Sequence, residues 1–210
     1  MLAIVDYGVG NLFSLRSSFS AIGAEAVASA DPEVLCAADG VILPGVGAFR
    51  DAAAKLRACG LWHTVRDLAQ AGKPLMGICL GMQLLFEKSY EYGEYEGLGL
   101  LRGEIRPIAE TIPAGYKIPH IGWNALHLCG DAPLLRDIRE GEYVYFVHSY
   151  HAVGCSGSVV ATTDYGAPLT AAVQKGNVMG CQFHPEKSGE VGLRILRTFC
   201  NLAEKGDGAI

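Results

Sequence analysis

The sequence predicts an α/β fold: an open mixed sheet whose first half is parallel and flanked by helices, and whose second half is an antiparallel extension. Three observations lead there. Short apolar runs alternate with helix-like stretches from the N-terminus to Glu87, the rhythm of parallel strands joined by helical crossovers. From Gly103 onward apolar runs follow one another with no helix between them, which calls for antiparallel neighbours. The early runs also end in glycine-rich turns, and open α/β sheets gather ligands at those carboxyl ends.

The elements justify this in order. Leu2–Val5 is an apolar run that Asp6-Tyr7-Gly8-Val9-Gly10-Asn11 turns into a helix over 12–22. The glycine spacing there is not that of a dinucleotide loop. Ala24–Ala28 is a short second strand, and Asp31-Pro32 is a helix start, with Asp as cap and Pro at the first helical position. Gly40–Leu43 is the third strand and runs into Pro44-Gly45-Val46-Gly47. Helices follow to Ala58 and over Leu61–Ala71, with Gly72 as cap. A strand from Leu75 then leads to Cys79, and Leu80–Glu87 has helical composition.

Beyond it, Glu91, Glu94 and Glu96 interleave with tyrosines and glycines in a polar loop. The later strands are predicted at Glu104–Ile108, Tyr116–Trp123, Asn124–Leu128, Tyr143–Ser149, Ser158–Thr163, Leu169–Lys175 and Val178–Phe183. A hairpin turn is expected at Lys175-Gly176-Asn177. A last helix, Ser188–Leu202, carries Val191, Ile195, Phe199 and Leu202 on one stripe, and Gly206 begins a loose tail.

Composition narrows the function. The chain has 210 residues, 50% of them hydrophobic, which suits one compact domain spanning 1–210. A net charge of −5 without a run of Lys or Arg argues against nucleic-acid and anionic-membrane partners. Seven scattered cysteines without a Cys-x-x-Cys pair point to reduced thiols in a cytoplasm and to neither disulfides nor zinc. Of these, Cys36, Cys59 and Cys200 are expected in the core, and Cys181 buried near the site. Met1–Val5 halts at Asp6 and lacks the basic flank of a signal peptide, and no apolar run reaches membrane-spanning length.

Gly77-Ile-Cys-Leu-Gly-Met-Gln83 carries the chemistry. A strand running into a helix through Cys79, with glycine two residues away on both sides, is a nucleophile elbow with cysteine in place of serine. The turn aims the sulfur away from the sheet, sets the Leu80 N–H to stabilise an oxyanion, and favours the thiolate at the helix start. The bland alternative is a buried structural cysteine between packing glycines. Near the other end stands His184-Pro185-Glu186. Pro185 keeps His184 extended, and i, i+2 alternation would set Glu186 beside it, as base and orienter. Alone, such a tripeptide is more often a surface turn.

Together these motifs resemble those of the class I, triad-type glutamine amidotransferase family. Asp6–Asn11, Pro44–Gly47, Pro119-His-Ile-Gly-Trp-Asn124, Tyr145-Phe-Val-His-Ser-Tyr150 and Gln182–Ser188 are similar to the branch whose partner is a (β/α)8-barrel cyclase. The resemblance implies Cys79 as nucleophile, His184 as acid and base, Glu186 as orienter, and an oxyanion hole from Leu80, Val46 and Gly47. It implies glutamine held by Gly45, Gln83, Ser149 and Tyr150, a peptide flip in Gly45–Gly47, and no cofactor or metal. Asn11, Trp123, Tyr145 and Lys187 would meet the cyclase in a heterodimer. That complex would use glutamine-derived ammonia to make imidazole glycerol phosphate and aminoimidazole carboxamide ribonucleotide in histidine biosynthesis. The alternatives are a glutaminase serving another synthase, or a cysteine hydrolase or peptidase on the same fold.

Overall fold

A computed structural model describes residues 1–204; the tail expected from Gly206 lies outside the described residues. The parallel half matches the sequence reading closely. Strands β1 (Leu2–Val5), β2 (Ala26–Ser29), β3 (Gly40–Leu43) and β4 (Leu75–Ile78) pair in parallel in the order β2-β1-β3-β4. Helices α1 (Leu12–Ala21), α2 (Pro32–Ala37), α3 (Phe49–Ala58) and α4 (Leu61–Gln70) form the crossovers. Asn11 Oδ1 caps α1 by accepting from the Ser14 N–H at 3.1 Å, and Asp31 Oδ1 caps α2 through Glu33 at 2.9 Å.

Strand alternation sends successive side chains to two helical layers. Ala3, Val5, Val41 and Leu43 pack with Leu35, Leu56 and Val65 of α2, α3 and α4. Leu2, Ile4, Ile42 and Met76 pack with Leu15 and Phe19 of α1 and with Ile195 and Phe199 near the C-terminus. Because both faces are buried, these strands read as unbroken apolar runs.

From Leu80 onward the sequence reading needs correcting. Helix α5 spans only Leu80–Leu84, not Leu80–Glu87. The Leu85 carbonyl accepts from the N–H groups of Leu100 and Leu101, and β5 (Phe86–Ser89) pairs with a later strand. Tertiary partners thus overrule helical composition. The supposed polar loop contains β6 (Tyr95–Glu96), which pairs with β5.

Strand β7 (Leu101–Pro107) follows, then β8 (His120–Ala125) and the short β9 (His127–Leu128). The break expected between Trp123 and Asn124 falls inside β8, and Tyr116–Pro119 is not strand. β10 (Tyr143–His148) pairs with β8, whereas β11 (Tyr150–Val153), unforeseen, pairs with β7. Ser149 is where the chain changes sheets, and its carbonyl accepts from Ile108.

The antiparallel extension is β12 (Val159–Asp164), β13 (Pro168–Lys175) and β14 (Val178–Cys181). The eight-stranded sheet runs β2-β1-β3-β4-β14-β13-β12-β9, with Gly176-Asn177 as the tight turn between β13 and β14. The remaining strands form separate sheets, a mixed four-stranded β11-β7-β5-β6 in which β5 and β7 run parallel and an antiparallel two-stranded β10-β8, so the second half is an extension plus two satellites. Helix α6 (Gly189–Glu204) closes one face; Ile195 and Phe199 are buried on it, while Val191 and Leu202 are half-buried at its margins.

Candidate active site

The carboxyl ends of β1, β3, β4 and β14 lie side by side, so four loops meet at one sheet edge. At the end of β4 the backbone of Cys79 adopts φ 53°, ψ −110°, a conformation that L-residues avoid. The flanking glycines make this turn possible by close approach. A Cβ on Gly81 would lie 1.8 Å from the Leu43 carbonyl oxygen, and one on Gly77 2.6 Å from the backbone of Met82. The helix behind it has only five residues, so the turn offers local N–H groups and little helix dipole.

β14 brings the second half of the site. It runs parallel to β4 with Cys181 opposite Ile78, which carries Gln182, Phe183 and His184 alongside the elbow. His184 is clamped at its backbone: its N–H donates to the Tyr145 carbonyl at 3.0 Å, and its carbonyl accepts from Ser188 Oγ at 2.6 Å. Glu186 does sit beside it, with Oε1 accepting from Nδ1 at 2.8 Å and both side chains at most 4% exposed. The reason differs from strand alternation, because Pro185–Lys187 is a single 3-10 turn that folds Glu186 back onto the ring. With Nδ1 engaged, Nε2 is left for Cys79, which lines the same cavity. Burial works against the imidazolium, but the neighbouring Cys79 and Glu186 side chains prevail and push His184 up to about 9.

These groups open on a cavity of about 400 Å³ lined by Val46, Gly47, Cys79, Leu80, Gln83, Ser149, Tyr150, His184 and Lys187. Gly45 lies beneath it, packed against Leu80 and Gly81. Gln83 Nε2 donates to the Tyr150 carbonyl at 3.1 Å, which ties the elbow helix to the point where β10 gives way to β11. Four further lining residues escaped the sequence reading: Glu91, Pro119, Val147 and His148. Glu91 Oε2 accepts from the Phe49 N–H at 2.6 Å, while desolvation pushes its carboxyl above the ordinary range. Burial holds His148 down to about 3, so this second cavity histidine is neutral and donates through Nδ1 to the Tyr150 carbonyl. No local motif marks Glu91; His148 adjoins Ser149, which was the available hint.

The cysteines divide differently from expectation. Cys181 and Cys200 are buried, but Cys36, on α2, and Cys59, the residue that ends α3, are exposed. Burial pushes the Cys181 thiol far up, leaving it inert beside the site.

Of the four residues expected at a partner surface, three are contiguous. Trp123 is 52% exposed and lies edge-on to Tyr145 at 6.0 Å, and Lys187 Nζ lies 6.0 Å from the same ring. Trp123 is thus no core aromatic. Ile121 and Tyr143 project from the same face of the β8–β10 pair, which leaves an uncovered apolar patch beside the cavity. Asn11 is exposed and caps α1.

A fold and cavity of this kind suit a class I glutamine amidotransferase, and the comparisons show that family. The family model "Glutamine amidotransferase class-I" matches residues 3–202. A solved glutamine amidotransferase superposes with TM-score 0.75 at 21% identity, covering 96% of this chain and 98% of its own. PurLQS from Thermotoga maritima gives 0.70 at 24%, covering 96% and 97%; at these identities the likeness speaks for the fold.

The imidazole glycerol phosphate synthase subunit HisH of Wolinella succinogenes is 50% identical over 204 residues, 96% of this chain and all of that one. HisH of Methanothermobacter thermautotrophicus is 49% identical over 202 residues, 96% and 98% of the two chains. The chain belongs to the class-I glutamine amidotransferase family and, within it, to the group of HisH subunits of imidazole glycerol phosphate synthase.

Proposed function

We propose that this chain, acting as one domain in the cytoplasm, is the glutaminase subunit of an imidazole glycerol phosphate synthase. It frees ammonia from glutamine for a (β/α)8-barrel cyclase bound to it as a heterodimer. The observation that carries the reading is the convergence of Cys79, His184 and Glu186 on one cavity. The products of the cyclase would be imidazole glycerol phosphate and aminoimidazole carboxamide ribonucleotide, in histidine biosynthesis.

His184 takes the Cys79 proton, and the sulfur attacks the side-chain amide carbon of glutamine. The resulting oxyanion is received by the N–H of Leu80 and by the Val46–Gly47 segment once a peptide in Gly45–Gly47 has turned. His184 returns the proton to the leaving nitrogen, then activates water against the γ-glutamyl thioester. Glu186 holds the ring in the tautomer that presents Nε2 to the sulfur. The Glu91 carboxylate in the wall complements the α-ammonium of a free amino acid, and the Ser149–Tyr150 backbone with Gln83 frames the rest.

Ammonia in neutral water is mostly ammonium and is not nucleophilic, so the product is best passed on directly. The apolar Ile121, Trp123, Tyr143 and Tyr145 face beside the cavity suits a partner that receives it. Replacing Cys79 by Ala in the assembled complex tests the reading. Synthesis driven by glutamine should vanish while synthesis from added ammonium salt persists; loss of both would make Cys79 structural.

A further inference from the structure

Gln182 is fully buried, and its Nε2 stands 3.8 Å from Cys79 Sγ. Its amide orientation follows from a chain of hydrogen bonds that begins at a main-chain carbonyl. The Tyr150 carbonyl can only accept, so the Gln83 atom facing it at 3.1 Å is the amide nitrogen. The same nitrogen lies 3.0 Å from Gln182, whose facing atom is therefore Oε1. The other end of the Gln182 amide is then a donor, and it points at the sulfur. Its position is held as firmly as its polarity, because the Gln182 N–H donates to the Ala171 carbonyl at 2.8 Å and the Cys79 N–H to the Cys181 carbonyl at 2.7 Å.

A neutral thiol gains little from such a donor, whereas a thiolate gains a charge-assisted hydrogen bond. We propose that Gln182 is a further catalytic residue, whose amide donates to the Cys79 sulfur and stabilises the thiolate from the sheet side. This rests on the glutaminase reading above. When Sγ yields its proton to His184 and bonds to the amide carbon, the carbon–nitrogen bond breaks and ammonia leaves with that proton. Gln182 keeps its own protons throughout. It acts twice, before attack and again when water expels the thiolate from the thioester. The titratable groups that share the cavity with Cys79 are His184, Glu91, His148, Tyr150 and Lys187, and none of them is altered in either variant. Tyr7, close enough to be raised by Cys79, donates its hydroxyl to the Pro44 carbonyl at 2.7 Å, and burial keeps it neutral.

The test is iodoacetamide alkylation of Cys79 in the full chain between pH 5 and 10, followed on its own peptide by mass spectrometry because Cys36, Cys59 and Cys129 are exposed. Native protein is compared with Gln182→Leu, which keeps volume without a donor. Gln182→Glu is the near-isosteric second variant; it still accepts from Gln83 but turns a carboxylate oxygen toward the sulfur, and it decides the matter if the leucine variant does not fold. Alkylation at pH 7 should be about tenfold slower in Gln182→Leu and slower still in Gln182→Glu, converging with native at high pH. With the cyclase bound, kcat for glutamine should fall about tenfold with KM nearly unchanged. Alkylation profiles that superpose on native would overturn the role of Gln182. Glutamine hydrolysis surviving in Cys79→Ala would instead overturn the proposed role of Cys79 as the glutaminase nucleophile, leaving the alkylation result to stand by itself.

Discussion

The N–H of Cys79 donates to the carbonyl of Cys181 at 2.7 Å, so two cysteines near opposite ends of the chain share one hydrogen bond of the sheet. One is exposed to the cavity at a strained turn and the other is sealed in the core. That bond sets the register of β14 on β4, and the register decides that His184 meets the sulfur. The site is therefore assembled by strand pairing more than by its own side chains.

The elbow is sensitive to the smallest addition. A methyl group on Gly81 would collide with the Leu43 carbonyl, which belongs to the neighbouring strand and cannot rotate aside. Gly81→Ala should cost about 3 kcal/mol or more and abolish glutaminase activity. Urea denaturation measures the first and glutamate release the second; a stable, active Gly81→Ala protein would contradict the close packing.

Backbone strain at Cys79 is the second expectation. Its φ of 53° suits glycine better than any L-residue. Cys79→Gly should thus be more stable than Cys79→Ala by about 1 kcal/mol, although both are inactive. Equal melting temperatures for the two variants would mean that the turn stores no strain.

Stability should peak near pH 6.5. Burial holds the His148 imidazole down to about 3 and the His151 imidazole down to about 4, so both rings fold neutral. Below their unfolded value of about 6.5 the unfolded chain binds up to two more protons than the native one. Stability then falls with falling pH by about 1.4 kcal/mol per unit for each proton, until the native values are reached. His184 has the opposite sign: its value is raised to about 9, so its contribution is complete below about 6.5 and is lost as pH rises through 9. Urea midpoints from pH 4.5 to 9.5 would trace this dome, and His151→Leu should remove about one proton from the acid limb.

Recognition of a free amino acid is assigned to Glu91. Glu91→Gln should raise KM for glutamine about tenfold or more with a smaller change in kcat, since it removes a charge that faces the substrate's ammonium and leaves the triad alone. A KM equal to native would place the ammonium elsewhere.

Beside the uncovered face of the β8–β10 pair, Lys187→Ala should leave the free chain's melting temperature almost unchanged. An exposed cation 6.0 Å from the Tyr145 ring contributes only about 0.5 kcal/mol. Weaker binding of the cyclase, read by titration calorimetry, is the expected effect. A large drop in the free chain's melting temperature would give Lys187 an internal role instead.

Much of the fold is legible in the sequence. Leu2–Val5 and Gly40–Leu43 announce themselves because strands buried on both faces must be apolar throughout, and Asp31-Pro32 announces a helix by its local cap. Gly77 and Gly81 mark the elbow because nothing larger fits. Phe86–Ser89 was unreadable, since its strand state comes from Leu101 and Glu104 of β7 and not from its own composition. Glu91 was hidden for the same reason: its place in the wall depends on the Phe49 N–H, which no local pattern reveals.

The amino-acid sequence by itself determined the strand-to-helix turn at Cys79 and the parallel half of the sheet, because each rests on short-range sterics or on continuous burial. Tertiary structure alone decided which antiparallel strands join the main sheet, that Glu186 reaches His184 through a 3-10 turn, and that the Gln182 amide presents its nitrogen to the sulfur. Those outcomes depend on partners far away in the chain, and a hydrogen bond's direction is settled only when both of its ends have been brought together.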